Sequence, residues 1–338
     1  MKSAFKITIC DDSHLAQHQI ALAIKDWDVD ISYADNGVQG IAAIKDNRAN
    51  LLFLDLNMPV MDGYEVLQTI RDQDLPTLVI VVSADIQPAA LLKTTQLGAL
   101  AFIKKPIDIK KLNLIVQEFG LADQIMIAKG LTLKTQSIGD IGLTIEDTFQ
   151  ETANISVGMA AERLSVLLDT FINLSIPEVN WLTSPELHRI IKGNSEDNFT
   201  SSVSQGFIGG GISGESILII DKTKLVHISK LLGFSSEIDQ ELEFDIIIDL
   251  AGLLSSAFLN IFFQQIGIQH INQGIPSLLD SRGQLDHLNN TAAVDKMIAV
   301  KVTHGMHEHN IFCDLLLIFT LDSLDTLKQR LELLSWTL

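Results

Sequence analysis

At 338 residues the chain is long enough for two domains with cores of their own, and 47% hydrophobic residues place it among globular rather than disordered proteins. Its 24 basic against 42 acidic side chains give a formal charge of −18, which argues against a nucleic-acid-binding output and against adhesion to anionic membranes. The opening stretch MKSAFKITICDDS lacks the apolar run of a signal peptide, and the apolar stretch from Ile246 to Leu254 is interrupted by Asp249 and falls short of a membrane span. Cys10 and Cys313 lie in separate apolar runs and read as buried thiols of a reducing compartment, so a cytoplasmic location is expected.

From about residue 5 to 118, short apolar runs alternate with helical patterns. Ile7–Cys10, Leu51–Leu54, Leu78–Val82 and Ala101–Ile103 read as buried parallel strands. Leu15–Ile24, Gly37–Lys45, Tyr64–Arg71, Pro88–Leu97 and Ile109–Phe119 read as helices. This rhythm predicts a doubly wound parallel α/β sheet, with the site at the C-terminal ends of its strands. Asp11, Asp12, Asp55 and Ser83 all fall at such ends.

Residues 122–144 are rich in Gly, Ser, Thr and Lys and read as a linker between a first domain (1–121) and a second (145–338). The rhythm then changes. Long helical patterns run from about Glu146 to Asn173 and from about Glu241 to Gln265. Strand-like runs follow each: Val203–Ile220 after the first, Met297–Val302 and Ile311–Phe319 after the second. Helix then hairpin, repeated, predicts a pseudo-twofold α+β domain.

The chemistry of the first domain follows from its acids. An aspartate can accept a phosphoryl group when a divalent cation neutralises both partners, and that requires carboxylates converging on a hard ion such as Mg²⁺. Asp11, Asp12 and Asp55 supply the carboxylates, and the backbone carbonyl of Asn57 completes the protein's share of ligands. Lys105 offers positive charge to the phosphoryl oxygens and Ser83 a hydroxyl. A cis bond between Lys105 and Pro106 would aim the ammonium inward.

These residues resemble the response-regulator receiver family. DLNMPVMDGYE (Asp55–Glu65) matches its phosphorylation loop, and CDDS (Cys10–Ser13), VVSAD (Val81–Asp85) and AFIKKP (Ala101–Pro106) match the other signatures in order. The resemblance implies that Asp55 is the phosphoacceptor, that a histidine kinase is the donor, and that Ser83, Phe102 and Lys105 form the switch. It also places Asn57 and Asp85 beside the path of attacking water, so no extreme phosphate lifetime is expected.

In the second domain, Asp147, Glu151 and Asn154 project within about 40° of one direction on a helix. Phe149, Ala153, Ala160, Leu164, Leu167 and Phe171 cluster nearly opposite. The pattern predicts a buried stripe and an outward acid–amide face. EDTFQETANISVGMAAERLSVLL (Glu146–Leu168) resembles the first active helix of the CheC/CheX/FliY chemotaxis phosphatases, with Glu151 and Asn154 as its signature pair and Asp147 beside them. The likeness extends through QGFIGGGISGESILII (Gln205–Ile220) and the second long helix. There the aligned positions are Asp245, Asp249 and Gly252, and a glycine cannot orient water, so this second site reads as degenerate.

The glycines at 209–211 and 214 lack the Lys-Ser or Lys-Thr of a phosphate loop and read as a hairpin. His304, His307 and His309 read as a strand-connecting turn rather than a metal site. The expected function is a response regulator phosphorylated on Asp55 whose CheC-like domain hydrolyses the aspartyl phosphate of a CheY-type receiver, or of itself. The alternative is a non-catalytic module that docks a chemotaxis or flagellar-switch partner when phosphorylated. A homodimer is compatible with either, since receivers pair through their fourth and fifth helices.

Overall fold

Parallel pairing of five short strands organises the N-terminal part of the computed structural model, which describes residues 5–123, 125, 144–192, 200–234, 238–279, 297–306 and 311–337. The strands β1 (Phe5–Cys10), β2 (Val29–Ala34), β3 (Leu51–Leu54), β4 (Leu78–Ser83) and β5 (Ala101–Lys104) lie in the order β2-β1-β3-β4-β5. They alternate with α1 (His14–Ala23), α2 (Gly37–Lys45), α3 (Gly63–Asp72), α4 (Pro88–Gln96) and α5 (Ile109–Glu118). Apolar cores cover both faces. Ile7, Ile9, Phe53, Ile80 and Ile103 pack with Ile20, Leu112 and Val116 on one side, and Leu52, Leu54, Val79 and Val81 with Ile41, Ile44 and Val66 on the other. This double cover is why the central strands read as unbroken apolar runs.

The strand β2 was not among the expected elements. It is an edge strand whose residues are mostly half-exposed, with only Ala34 buried, so VDISYA carries no apolar run to detect. The chain order reverses between β1 and β3, which opens the crevice where doubly wound sheets bind ligands. Helix starts are fixed by side-chain caps: Ser13 on α1, Asn36 on α2, Asp108 on α5, and an Asp62–Glu65 capping box on α3.

The chain divides into two compact units, Met1–Glu151 and Thr152–Thr337. The division falls after the seventh residue of the helix α6 (Ile145–Leu168) rather than ahead of it, because the first turns of α6 make their contacts within the first unit. Of the expected linker 122–144, most lies outside the described residues.

In the second unit α6 is followed by β6 (Asn173–Leu174), β7 (Glu178–Leu182), α7 (Ser184–Lys192), β8 (Thr200–Gly209), β9 (Ile212–Asp221) and α8 (Leu225–Leu231). The second half gives α9 (Gln240–Gln265), β10 (Asn272–Gln273), β11 (Ser277–Leu279), β12 (Met297–Met306), β13 (Ile311–Phe319) and α10 (Leu324–Thr337). Two hairpins, β8–β9 and β12–β13, join through β9 and β13 at the sheet centre. The short strands of each half pair with the hairpin of the other: β6 and β7 with β12, β10 and β11 with β8. This reciprocal exchange is the pseudo-twofold that the repeated pattern predicts. At the β8–β9 turn Gly210 and Gly211 both hold positive φ (57° and 84°), which residues with a Cβ adopt poorly, and the glycine run is a hairpin turn as expected.

By length and composition α9 could cross a bilayer (26 residues, mean hydropathy 2.0), contrary to the reading that Asp249 cuts its apolar run short. Yet 61% of its apolar window is buried, with Ile246, Leu250, Leu254, Phe258 and Phe262 fully enclosed. In α6 Phe149, Ala153, Ala160 and Leu164 are buried as expected, but Leu167 is 65% exposed and leaves the predicted stripe.

Candidate functional site

The crevice beside β1 and β3 gathers the predicted acids. Ligand oxygens of Asp11, Asp12 and Asp55 all lie within 4.8 Å of one another. Asp11 and Asp55 are buried, and Asp12 is half-buried. Lys105, at the end of β5, reaches the same point: its Nζ is 2.8 Å from Asp11 Oδ2 and 3.5 Å from Asp55 Oδ1. The Lys105–Pro106 peptide is cis, as the sequence suggested. The Ser83 hydroxyl hydrogen-bonds the Asp55 carboxylate, and Asn57 N donates to Asp55 Oδ2 at 3.2 Å. The loop after Asp55 is held close by Gly63, where a Cβ would collide with the Asp55 carbonyl oxygen.

Burial pushes the Asp11 and Asp55 carboxyls above the usual carboxylate range, and the Lys105 ammonium pulls them part of the way back. Burial and the neighbouring Asp55 raise Asp12 to about 7. Lys105 loses basicity to burial, but Asp11, Asp55 and Glu151 outweigh that loss and hold it well above its ordinary value. Among the described residues carboxylates therefore outnumber the cation Lys105, and Asp12 Oδ1 is buried without a hydrogen-bond partner. A hard divalent cation fits this donor set, being the partner that clustered carboxylates lack.

The acid–amide helix differs from the outward face expected of it. Glu151 is 1% exposed and Asn154 6% exposed. Glu151 belongs to the first unit, and there its Oε1 lies 3.4 Å from Lys105 Nζ, with no hydrogen-bond partner for either carboxylate oxygen among the described residues. Asp147 is not a free acid. Its Oδ2 accepts from Thr144 N (2.9 Å) and Thr144 Oγ1 (2.8 Å), while Asp147 N donates back to Thr144 Oγ1, so it is engaged in capping α6. On α9, Asp245 and Asp249 are exposed, and no side chain or backbone of another element among the described residues lies within 4 Å of a Cβ built on Gly252.

Other predicted residues fall as follows. Phe102 is partly buried against the core beneath α2 and α3. Asp85 does not open onto solvent: it is buried, its Oδ1 accepts from Gln87 N and Nε2, and burial raises its carboxyl to about 6. His304 is buried in β12 opposite Cys313, while residues 307–309 lie outside the described residues. The sequence reading missed Gln17. Its buried amide donates to Asp11 O (2.7 Å), Ala34 O and Asp35 Oδ1, tying the β1–α1 loop to the end of β2. A glutamine among the apolar positions of α1 was the available signal.

The family model for the response regulator receiver domain matches residues 7–117. Chemotaxis protein CheY of Bacillus subtilis is 31% identical over 106 residues, covering 31% of this chain and 88% of that protein. A protein-glutamate methylesterase/protein-glutamine glutaminase of Geobacter sulfurreducens is 28% identical over 159 residues, covering 45% of this chain and 40% of that protein. The CheX–CheY–BeF3–Mg complex structure from Borrelia burgdorferi matches at 28% identity over 34% of this chain and 89% of that chain, with a TM-score of 0.33. The chain spans 25% to 53% of the length of the first curated relatives it matches. Through residues 7–117, with their five-stranded parallel sheet and clustered aspartates, the chain belongs to the response regulator family.

Proposed function

We propose that Asp55 accepts a phosphoryl group from a histidine kinase and that the C-terminal part of the chain hydrolyses a receiver's aspartyl phosphate, on a CheY-type partner or on Asp55 itself. The observation that carries this reading is Glu151 Oε1 at 3.4 Å from Lys105 Nζ, beside Asp55. An acid on α6 thereby meets the lysine that serves the phosphoryl group.

In this reading Asp11, Asp12, Asp55 and the Asn57 carbonyl hold Mg²⁺, which when bound neutralises charge on the carboxylate and phosphoryl oxygens. Lys105 and Ser83 take the remaining phosphoryl oxygens, and Phe102 follows Ser83 as the switch. For hydrolysis Glu151 engages the receiver lysine and the Asn154 amide holds a water in line with phosphorus. The water oxygen bonds to phosphorus as the bond to the aspartyl oxygen breaks. Aspartate carboxylate and inorganic phosphate result, with the water's proton leaving on the phosphate or to solvent. Positioning supplies most of the acceleration, because a carboxylate is already a good leaving group. Asp147 serves this site by capping the helix that carries it.

The test is phosphate release from a phosphorylated CheY-type receiver mixed with the full chain. Wild type should accelerate release, and Glu151→Ala and Asn154→Ala should each lose about 100-fold of that acceleration. Release as fast with both variants as with wild type would refute the assignment and favour a docking module.

A further inference from the structure

Asp11, Asp55 and Glu151 converge on Lys105 in the first unit, and they are not held alike. Asp11 Oδ1 accepts from Ser13 N at 3.0 Å, and Asp55 accepts from Asn57 N and from the Ser83 hydroxyl. Glu151 has no such anchor. Its side chain is 1% exposed, and neither of its carboxylate oxygens has a hydrogen-bond partner among the described residues. What faces it is Lys105 Nζ at 3.4 Å, and that ammonium lies closer to Asp11, at 2.8 Å. A buried carboxylate that shares its cation and accepts no hydrogen bond is poorly compensated for the water it has lost.

The same ammonium is what a phosphoryl group on Asp55 needs. Lys105 Nζ stands 3.5 Å from Asp55 Oδ1, within reach of the oxygens of a group carried there. When a phosphohistidine donates, an Asp55 carboxylate oxygen bonds to phosphorus as the phosphorus–nitrogen bond breaks, and the histidine keeps that bond's electron pair. The acyl phosphate then carries about one more negative charge than the carboxylate it replaces. With Glu151 in place, that charge arrives beside a buried anion drawing on the same lysine, and like charges repel strongly in a site closed to water. Glu151 is not one of the acids whose oxygens gather within 4.8 Å as a cation site, so it competes for the lysine and not for the metal. Asp11 and Asp55 have backbone donors that hold them, so Glu151 is the member of the cluster that yields.

We propose that Glu151 is a built-in competitor of the phosphoryl group. Seated on Lys105 in the unphosphorylated chain, it opposes the charging of Asp55, and charging drives it off. Such competition rests on Asp55 being the phosphoacceptor, as read above, and holds whether or not the chain hydrolyses an acyl phosphate. Once Asp55 is charged, the seated arrangement is the less stable one, visited in passing rather than held.

The test is calorimetric titration of the full chain with beryllium fluoride in saturating Mg²⁺. The adduct formed on an aspartate mimics the phosphoryl group and is not hydrolysed, so phosphatase activity does not enter the result. Glu151→Gln keeps the size of the side chain and removes its charge. It should bind the probe about tenfold more tightly than wild type, an ordinary coupling between two groups, and Glu151→Ala should do the same. In wild type alone, hydrogen exchange at the α6 amides of residues 149–151 should quicken when the adduct forms. Equal affinity in wild type and Glu151→Gln would overturn the proposal. So would a gain in Glu151→Ala alone, because volume rather than charge would then be the obstacle, or exchange that the adduct leaves unchanged. Binding to neither wild type nor variants would overturn the phosphoacceptor reading and the proposal with it.

Discussion

Replacing Lys105 with methionine keeps the length and apolar stem of a side chain that is 2% exposed and removes its charge. The ammonium sits 2.8 Å from Asp11, 3.5 Å from Asp55 and 3.4 Å from Glu151. At an effective dielectric of about 20 each contact is worth roughly 5–6 kcal/mol of attraction before desolvation is subtracted. Removing one member of a buried ion pair costs about 3–5 kcal/mol net, and that is the loss expected here at pH 8 in EDTA. The loss should depend on pH. Asp11 and Asp55 already have carboxyl pKa values raised by burial, and without Lys105 they rise further. An acid whose folded pKa lies above its unfolded value destabilises the fold progressively as pH climbs from the unfolded to the folded pKa. The deficit of Lys105→Met should therefore shrink towards pH 5, and saturating Mg²⁺ should shrink it at pH 8. Guanidinium denaturation followed through Trp27, buried in the first unit's core, reads this directly. An unchanged midpoint at pH 8 in EDTA would refute the reasoning, as would a deficit equal at pH 5 and pH 8.

Three further outcomes are expected. Gly63→Ala puts a Cβ onto the Asp55 carbonyl oxygen and 2.8 Å from Leu56 Cα, both backbone, so the loop must shift. Phosphoryl uptake from acetyl phosphate should fall at least tenfold, and normal uptake would show that the loop tolerates the shift. His304 is buried, and burial lowers its pKa from 6.5 to about 4. A base with a depressed folded pKa loses stability as pH falls from 6.5 to 4, here by about 3 kcal/mol, and His304→Gln should remove that slope in denaturation midpoints. Phe258→Ala empties a fully buried position in α9 and should cost about 3–5 kcal/mol in the second unit, followed by urea denaturation.

Much of the first unit was legible because its signals are local. A doubly covered strand must be apolar throughout, and a site at strand ends puts its acids directly after those runs, as Asp11, Asp12 and Asp55 do. The strand β2 escaped because an edge strand needs no such run. The environment of α6 was harder to read. Helical periodicity separates polar from apolar directions, but it cannot say that a polar direction meets a buried lysine. Glu151 therefore reads as solvated in sequence and is 1% exposed in the fold. Asp147 shows a related effect: a carboxylate three residues after Thr144 caps the helix, and helical periodicity does not reveal that local competition. The crossed pairing of β6 and β7 with β12 joins residues more than a hundred positions apart, beyond the reach of any short pattern.

The most direct test of the phosphatase reading is the rate of inorganic phosphate release from a pool holding both phosphorylated Asp55 and an added phosphorylated CheY-type receiver, in Mg²⁺, comparing wild type with Asn154→Ala. Including both acyl phosphates makes the result independent of which one is the substrate. Loss of the amide should slow release about 100-fold while leaving phosphorylation of Asp55 intact. Equal rates for the two proteins would contradict the assignment of Asn154 as the residue that positions water.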